Sequence, residues 1–333
     1  MRTKSVLLIA IILISIVSLT ACSSTEQFFV FGTFLDMTVE GVSGGKVTRE
    51  VFTYMESLET LLSPTVEGSD LHKINNAKAG ESVKCSPETM ELLSIVEVIF
   101  DLSDGAYDPS IYPLVRLWNF SGDKFSQIEG KTPPTDEDIA EALSVVGFDK
   151  AFTIDHVAGT VTKNVGYDGA MLDFGGVAKG YAVDKAMDSF DGKALVNLGG
   201  NIGAKGKEYT IGIGNPRESA TPYFGSFTLR AGELISTSGD YERFFTYEGK
   251  RYHHILSPAT GKPSDSGLIS VSVICTNGAV GDALSTAIMV LGAEKGKALI
   301  ARINDEFDLN VKAVLISTDL TYEVVGDLGF VKK

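Results

Sequence analysis

The stretch Ala170-Met-Leu-Asp173-Phe-Gly-Gly176-Val-Ala-Lys179-Gly180 decides how this chain is read. Its first three residues are strand-like, and its glycines then open a helix expected over residues 177–190. Glycines at such a junction let backbone come close to a ligand. Unpaired amides at a helix start favour phosphate, and Lys179 adds a full positive charge beside them. From residue 151 onward the surroundings are short alternating strands broken by Gly, Asn and Asp, with one more helix expected over residues 280–291. Ahead of it, helices dominate. Over residues 47–62 the apolar positions Val47, Val51, Met55, Leu58 and Leu62 recur every three or four residues, giving one buried face. A second helix starts with Ser86 as cap and Pro87 in its first turn, runs through Leu92, Ile95 and Ile99 and stops before Gly105. A third is framed by Thr135 ahead of Asp136, Glu137 and Asp138, with Gly147 past its end. Residues 28–40, rich in aromatic and β-branched side chains, read as the first strand, after a short polar tether over residues 23–27. Helices and strands segregated in this way give an α+β class, and no repeat or low-complexity stretch demands separate domains.

The glycine-rich junction excludes several chemistries. Asp173-Phe-Gly invites comparison with a kinase, but there is no His-Arg-Asp loop and no Val-Ala-Ile-Lys strand. Neither a P-loop nor the Gly-x-Gly-x-x-Gly of dinucleotide-binding folds is present. A purely structural junction with a capping Asp accounts for the bare pattern equally well.

Two further constellations carry possible chemistry. In Gly281-Asp282-Ala-Leu-Ser285-Thr286, the Asp282 and Thr286 side chains are four apart and share one helix face. A carboxylate and a hydroxyl so held are hard oxygen ligands for Mg²⁺ or Ca²⁺; the dispersed His and Cys offer no zinc spacing. The structural alternative is that Asp282 caps the helix and Thr286 bonds back to the backbone. The adjacent His253 and His254 point to opposite faces of a strand and cannot chelate one ion together; one of them facing a site would serve as a base near neutral pH, and the structural alternative is an ordinary satisfied polar residue.

The ends set the location. Arg2 and Lys4, an apolar run over residues 6–17, and Leu19-Thr-Ala-Cys22 form a signal peptide over residues 1–21, too short for a membrane span and ending in a lipidated Cys22. The chain is therefore expected to be exported and tethered to a bacterial membrane, with a lipidated tether over residues 22–27. Cleavage removes two positive charges and takes the formal charge from −14 to −16, which argues against a nucleic-acid partner. Cys85 and Cys275 are expected as buried thiols, not a disulfide framework.

Read together, Gly32-Thr-Phe34, Leu62-Ser63 with Ser69-Asp-Leu71 and Ile74-Asn75, Gly105-Ala-Tyr-Asp-Pro109, residues 173–184, Leu198-Gly-Gly-Asn201, residues 236–243, His254-Ile-Leu-Ser-Pro258 and Asp282-Ala-Leu-Ser-Thr286 resemble the ApbE family over nearly the whole exported chain. The resemblance implies a single catalytic domain over residues 28–333, built as two interlocked α+β subdomains with mixed and antiparallel sheets, and an FAD:protein FMN transferase that splits FAD at its pyrophosphate with Mg²⁺, joins FMN to a Thr or Ser of an acceptor protein and releases AMP. It implies FAD contacts at Phe31, Thr65, Ala106, Tyr107, Asp108, Asp173, Lys179 and Ile255. The metal falls to the Gly176 carbonyl, Asp282 and Thr286, and His254 is the base, so that His254 and Asp282 are the catalytic side chains. The acceptor would be another exported protein with an Asp-x-x-Ser/Thr-Gly-Ala-Ser/Thr motif, since the nearest match here is Asp265-Ser-Gly-Leu.

Three departures bear on mechanism. Phe31 replaces a usual Met and keeps an apolar contact. Thr65 replaces an aromatic able to stack on adenine, and Ser257 replaces an Asp after the His-Ile pair. Water could then replace the protein acceptor, giving an FAD pyrophosphatase. A lipid-anchored flavin-binding protein, needing neither metal nor base, is the non-enzymatic alternative.

Overall fold

The computed structural model describes residues 23–120, 126–217 and 220–333. The proposed signal peptide and the lipidation site Cys22 lie outside the described residues. No helix among the described residues is long and apolar enough to cross a membrane.

The frame is an eight-stranded, wholly antiparallel sheet whose order follows the chain: β1 (Ser23–Val30), β2 (Thr33–Glu40), β3 (Ala194–Leu198), β4 (Asn201–Lys205), β5 (Leu234–Gly239), β6 (Leu268–Cys275), β7 (Lys312–Ser317) and β8 (Tyr322–Val325). Helices α1 (Gly44–Leu62), α2 (Pro87–Leu102), α3 (Ala178–Asp188), α4 (Gly278–Leu291) and α5 (Ala293–Glu306) are joined with one sheet face in the main core. That core takes Leu35, Met37, Val196, Leu198, Val271 and Val273 from the strands, and Val51, Met55 and Leu58 from α1. The other sheet face offers Ile235, Ile274 and Val314 to a small antiparallel sheet of Tyr209–Gly214, Tyr223–Leu229 and Val331–Lys332. A third cluster gathers Leu114, Trp118, Phe120, Ile139, Phe245 and Leu256, with Trp118, Phe120, Phe245 and Tyr252 stacked in series. It clamps the hairpin Arg243–Tyr247 and Lys250–His253, whose further parallel pairing with Ser126–Gln127 makes the sheet content mixed. Each fully buried Leu, Ile or Phe contributes roughly 1.5–3 kcal/mol.

The α+β class holds, and several expectations need correcting. Residues 28–40 are not one strand: Phe31 (φ 54°) and Gly32 (φ 64°) make a two-residue turn between β1 and β2, so Thr33 and Phe34 open the second strand. Paired left-handed conformations suit the twist of a hairpin, but Phe is an unusual occupant of such a turn. The supposed polar tether, residues 23–27, is the first part of β1, paired from Ser23↔Glu40 onward. Ala170-Met-Leu is no strand beyond one bridge, Ile111↔Met171. Instead the buried amide of Asn75 donates to the Leu172 carbonyl (2.9 Å) and accepts from the Leu172 amide (2.6 Å), and the Asp173 amide donates to Pro109 (2.7 Å). A side chain thus takes the place of a neighbouring strand. The third helix is Asp136–Leu143 with the full Thr135–Asp138 capping box; Gly147 instead opens a separate turn, Phe148–Ala151. Cys85 and Cys275 are buried free thiols, pushed up by burial to about 11 and about 12.

Candidate active site

The site forms where α3 and α4 meet without side chains between them. A Cβ on Gly180 would overlap the Gly278 carbonyl, and one on Gly278 would overlap that of Gly180, so only this glycine pair allows the approach. The close packing delivers Asp282, one turn into α4, to the start of α3. Asn277 caps α4 itself, accepting from the Val280 amide at 2.9 Å, so the capping role considered for Asp282 is filled. Asp282 is 3% exposed, and its Oδ2 accepts from the Gly180 amide (3.0 Å) while the Lys179 ammonium stands 3.6 Å away. It caps the neighbouring helix. Nor does Thr286 bond back to the backbone: Ser285 does so, to the Asp282 carbonyl at 2.9 Å, leaving Thr286 Oγ1 3.4 Å from Ser238 Oγ of β5.

Around this pair the predicted residues converge. A Cβ on Gly176 would stand 3.0 Å from Thr286 Oγ1 and 3.3 Å from the Tyr107 ring, so the 174–177 turn, Thr286 and Tyr107 form one wall. Asp173 Oδ1 accepts from the Gly175 amide (2.9 Å), and Lys179 Nζ donates to the Gly175 carbonyl (2.9 Å). Tyr107 is 4% exposed, and its hydroxyl has no hydrogen-bond partner among the described residues. Burial, then the charges of Asp173, Asp282 and Asp108, hold that phenol well above its ordinary pKa, so it remains a neutral donor. Burial raises the Asp173 carboxyl too, against the opposing pull of the Gly175 amide, Arg243 and Lys179.

The histidine pair separates by role. His253 is buried, with Nε2 donating to the Ser264 carbonyl (2.9 Å) and Nδ1 accepting from the Ile255 amide (3.3 Å), which fixes the neutral tautomer; burial lowers its pKa. His254, half-buried, donates its amide to the Arg243 carbonyl at 3.1 Å. Ile255 belongs to the main core. Ala106 lines a cavity of about 530 Å³ with Gly105, Ser257, Pro258, Leu291 and Arg302, a volume within the range of small-molecule sites.

Other expectations fare differently. Asp108 is turned into its own loop: Oδ1 accepts from the Ser110 amide and hydroxyl (2.7 and 2.6 Å) and Oδ2 from the Phe148 amide (3.4 Å), so it shapes the Ala106–Tyr107 segment. Phe31, at the hairpin tip, packs on the main core, and Thr65 stands in an exposed loop bonded to Ser63. The amides at the start of α3 are not an open phosphate cradle. Those of Gly175, Val177, Ala178 and Gly180 are already bonded to Asp173, Phe174, Phe174 and Asp282. Arg243 and Asn75 are additions that spacing alone did not single out.

No group of three or more His, Cys, Asp or Glu forms a metal cage among the described residues. One buried carboxylate, one hydroxyl and one carbonyl, beside an unpartnered phenol, suit a hard cation that takes its remaining ligands from substrate phosphate and water, as Mg²⁺ does.

Comparison with known proteins shows the family. The model of the ApbE family matches residues 31–310. An FAD:protein FMN transferase of Klebsiella pneumoniae (strain 342) is 34% identical over 263 residues, covering 78% of this chain and 80% of that protein. One of Treponema pallidum (strain Nichols) is 32% identical, covering 76% and 73%. Among solved structures, the ApbE protein of Thermotoga maritima superposes with a TM-score of 0.80 at 30% identity over 92% of this chain and 97% of that one. The flavinyl transferase ApbE of Pseudomonas stutzeri gives 0.74 at 28% identity, over 92% and 95%.

Proposed function

The chain belongs to the ApbE family, and from that premise we propose that it is an FAD:protein FMN transferase acting on a Thr or Ser hydroxyl of an exported acceptor. The observation that carries the reading is the buried Asp282, aligned with Thr286 and faced by the Gly176 turn and the unpartnered Tyr107 hydroxyl. In the reaction, the acceptor oxygen attacks the phosphorus on the FMN side of FAD. The bond from that phosphorus to the bridging oxygen breaks, AMP leaves with the oxygen, and His254 takes the hydroxyl proton. Mg²⁺ held by Asp282, Thr286 and the Gly176 carbonyl would neutralise charge on the phosphate oxygens. Tyr107, kept protonated, donates toward the same region, and Lys179 and Asp173 order the turn that walls it.

The finer parts of the proposal are the metal, an acceptor carrying Asp-x-x-Ser/Thr-Gly-Ala-Ser/Thr, and anchoring through a lipid on Cys22. Hydrolysis of FAD to FMN and AMP is a second reading, favoured by Thr65: a small, exposed residue cannot stack on a base and shield the phosphates from water. Incubating the protein with FAD and Mg²⁺ is expected to release AMP, and adding an acceptor-motif peptide should yield a fluorescent flavinylated product. Absence of AMP with every divalent cation would sink both enzymatic readings; AMP without labelled peptide would favour hydrolysis.

A further inference from the structure

The segment Gly239-Asp-Tyr-Glu-Arg243 leaves β5 and enters the hairpin that carries the histidines. Its acidic residue is satisfied: Asp240 takes a bidentate pair from Arg217 (2.8 Å for both bonds) and has Arg251 3.8 Å away. Arg243 is different. Its buried Nε has no hydrogen-bond partner among the described residues, although an unpaired buried guanidinium donor is costly. Register fixes where this side chain lies. Phe244 pairs with His253, and the His254 amide donates to the Arg243 carbonyl, so Arg243 and His254 are opposed across the hairpin end. Directly opposed residues of an antiparallel pair project to the same face. One step beyond that ladder the guanidinium lies on the side of the hairpin that His254 continues, and its charge lowers the Asp173 carboxyl against the effect of burial.

Apart from the neutral Tyr107 hydroxyl, few donors among the described residues of the cleft are free for an anion. Four amides at the start of α3 are bonded internally, and Lys179 is divided between the Gly175 carbonyl and Asp282. A diphosphate brings two negative charges to a place that already holds Asp173 and Asp282. Arg243 supplies a cation with an open donor at that wall. We infer that Arg243 is a catalytic contact residue for the diphosphate of the nucleotide substrate, donating to its oxygens beside His254 and holding the charge that grows on the leaving AMP phosphate as the phosphorus–oxygen bond breaks. The inference rests on the FAD reading of the site and extends it to a residue that the resemblance includes in a motif but gives no contact.

The test compares the full-length protein with Arg243→Gln and Arg243→Lys, measuring affinity for FAD, ADP and riboflavin, AMP release and melting temperature. Arg243→Gln is expected to weaken FAD and ADP roughly ten- to a hundredfold, as for loss of a charge-assisted bond, with riboflavin affinity and melting temperature unchanged. Arg243→Lys should recover part of the loss, because an ammonium keeps the charge but not the fork. Wild-type affinity of the Gln variant for ADP would overturn the inference, as would an equal loss for ADP and riboflavin with a lowered melting temperature, which marks a structural partner of Asp173. If the Gln variant does not fold, the Lys variant decides: weakened ADP binding at an unchanged melting temperature supports the contact, and wild-type binding rejects it. A wild-type protein that binds ADP but releases no AMP from FAD would refute the transferase reading while leaving the Arg243 comparison intact.

Discussion

On the outer face of the eight-stranded sheet, Ile235, Ile274 and Val314 meet Ile211, Phe224 and Phe227, and the charge buried on that face is closed into a pair, Lys312 with Glu233 at 2.5 Å. On the helical face, Asp173, Asp184, Asp282 and Tyr107 are set among Leu, Val and Ala; two of those acids are held above their ordinary pKa, and the phenol has no hydrogen-bond partner among the described residues. Both faces cover the same strands, so the contrast is not imposed by the sheet. Burying an acid without a full partner lowers stability, and perturbed groups gathered in a cleft are where chemistry is expected. The outer face stabilises the fold, and the helical face gives up some of that stability to hold a site.

Substitutions that break the contrast should separate activity from stability. The largest effect is expected for Asp282→Ala: metal-dependent AMP release should fall by about 10³-fold or more, the scale of losing a central electrostatic contact, whereas stability changes by only about 1 kcal/mol for the lost helix cap. A variant with full turnover would place the metal elsewhere. The mirror case is Phe227→Ala on the outer face, expected to destabilise by about 3–5 kcal/mol in denaturant melts while the folded fraction keeps wild-type kcat and KM for FAD. His254→Gln should lower transfer by about 10²–10⁴-fold with binding of FAD retained; an unchanged rate would assign the proton to another group.

The smallest effect sharpens the comparison through pH. Asp184 accepts from the Gly278 amide at 3.0 Å, yet burial raises its carboxyl to about 6 from an ordinary 3.8. The folded protein therefore holds this proton more tightly than the unfolded chain. Its favourable contribution is complete below about pH 4 and is lost as pH rises through about 6. Asp184→Asn should stabilise by about 1–3 kcal/mol at pH 8, with the gain shrinking toward pH 4; a pH-independent change in melting temperature would mean that ionisation is not the cause.

What the sequence made legible follows from how local each signal is. Ser86-Pro87, the Thr135 capping box and the apolar spacing of 47–62 act within one helix, and each lies where the structure has a helix. Asp282 and Thr286 were readable because four residues define one face whatever surrounds it. Helix α5 has only Leu299, Ile300 and Ile303 as fully buried aliphatic anchors, begins straight after Gly292 and lacks a side-chain cap, so it carries little signature. The β1–β2 turn was hidden because Phe31 occupies a conformation more usual for Asn or Gly. Residues 23–27 are polar, and only their partners in β2 make them a strand. The same holds for the site: that Asp282 would cap a different helix, that Asn75 would stand in for a strand, and that Arg243 would lie opposite His254 are outcomes of long-range packing.

The first strand has a consequence of scale. The described part of β1 is paired from its first residue, Ser23↔Glu40. Eight strand residues at about 3.3 Å each make a rigid mast of roughly 26 Å. Its far end, the Phe31–Gly32 turn, lies at the same edge of the sheet as the Gly199–Gly200 turn, since the Gly199 amide bonds to the Phe34 carbonyl at 3.1 Å. With a lipid on Cys22, as proposed, the Ser23 end of the sheet would sit next to the bilayer, and the Phe31–Gly32 turn would stand at most about one strand length from it.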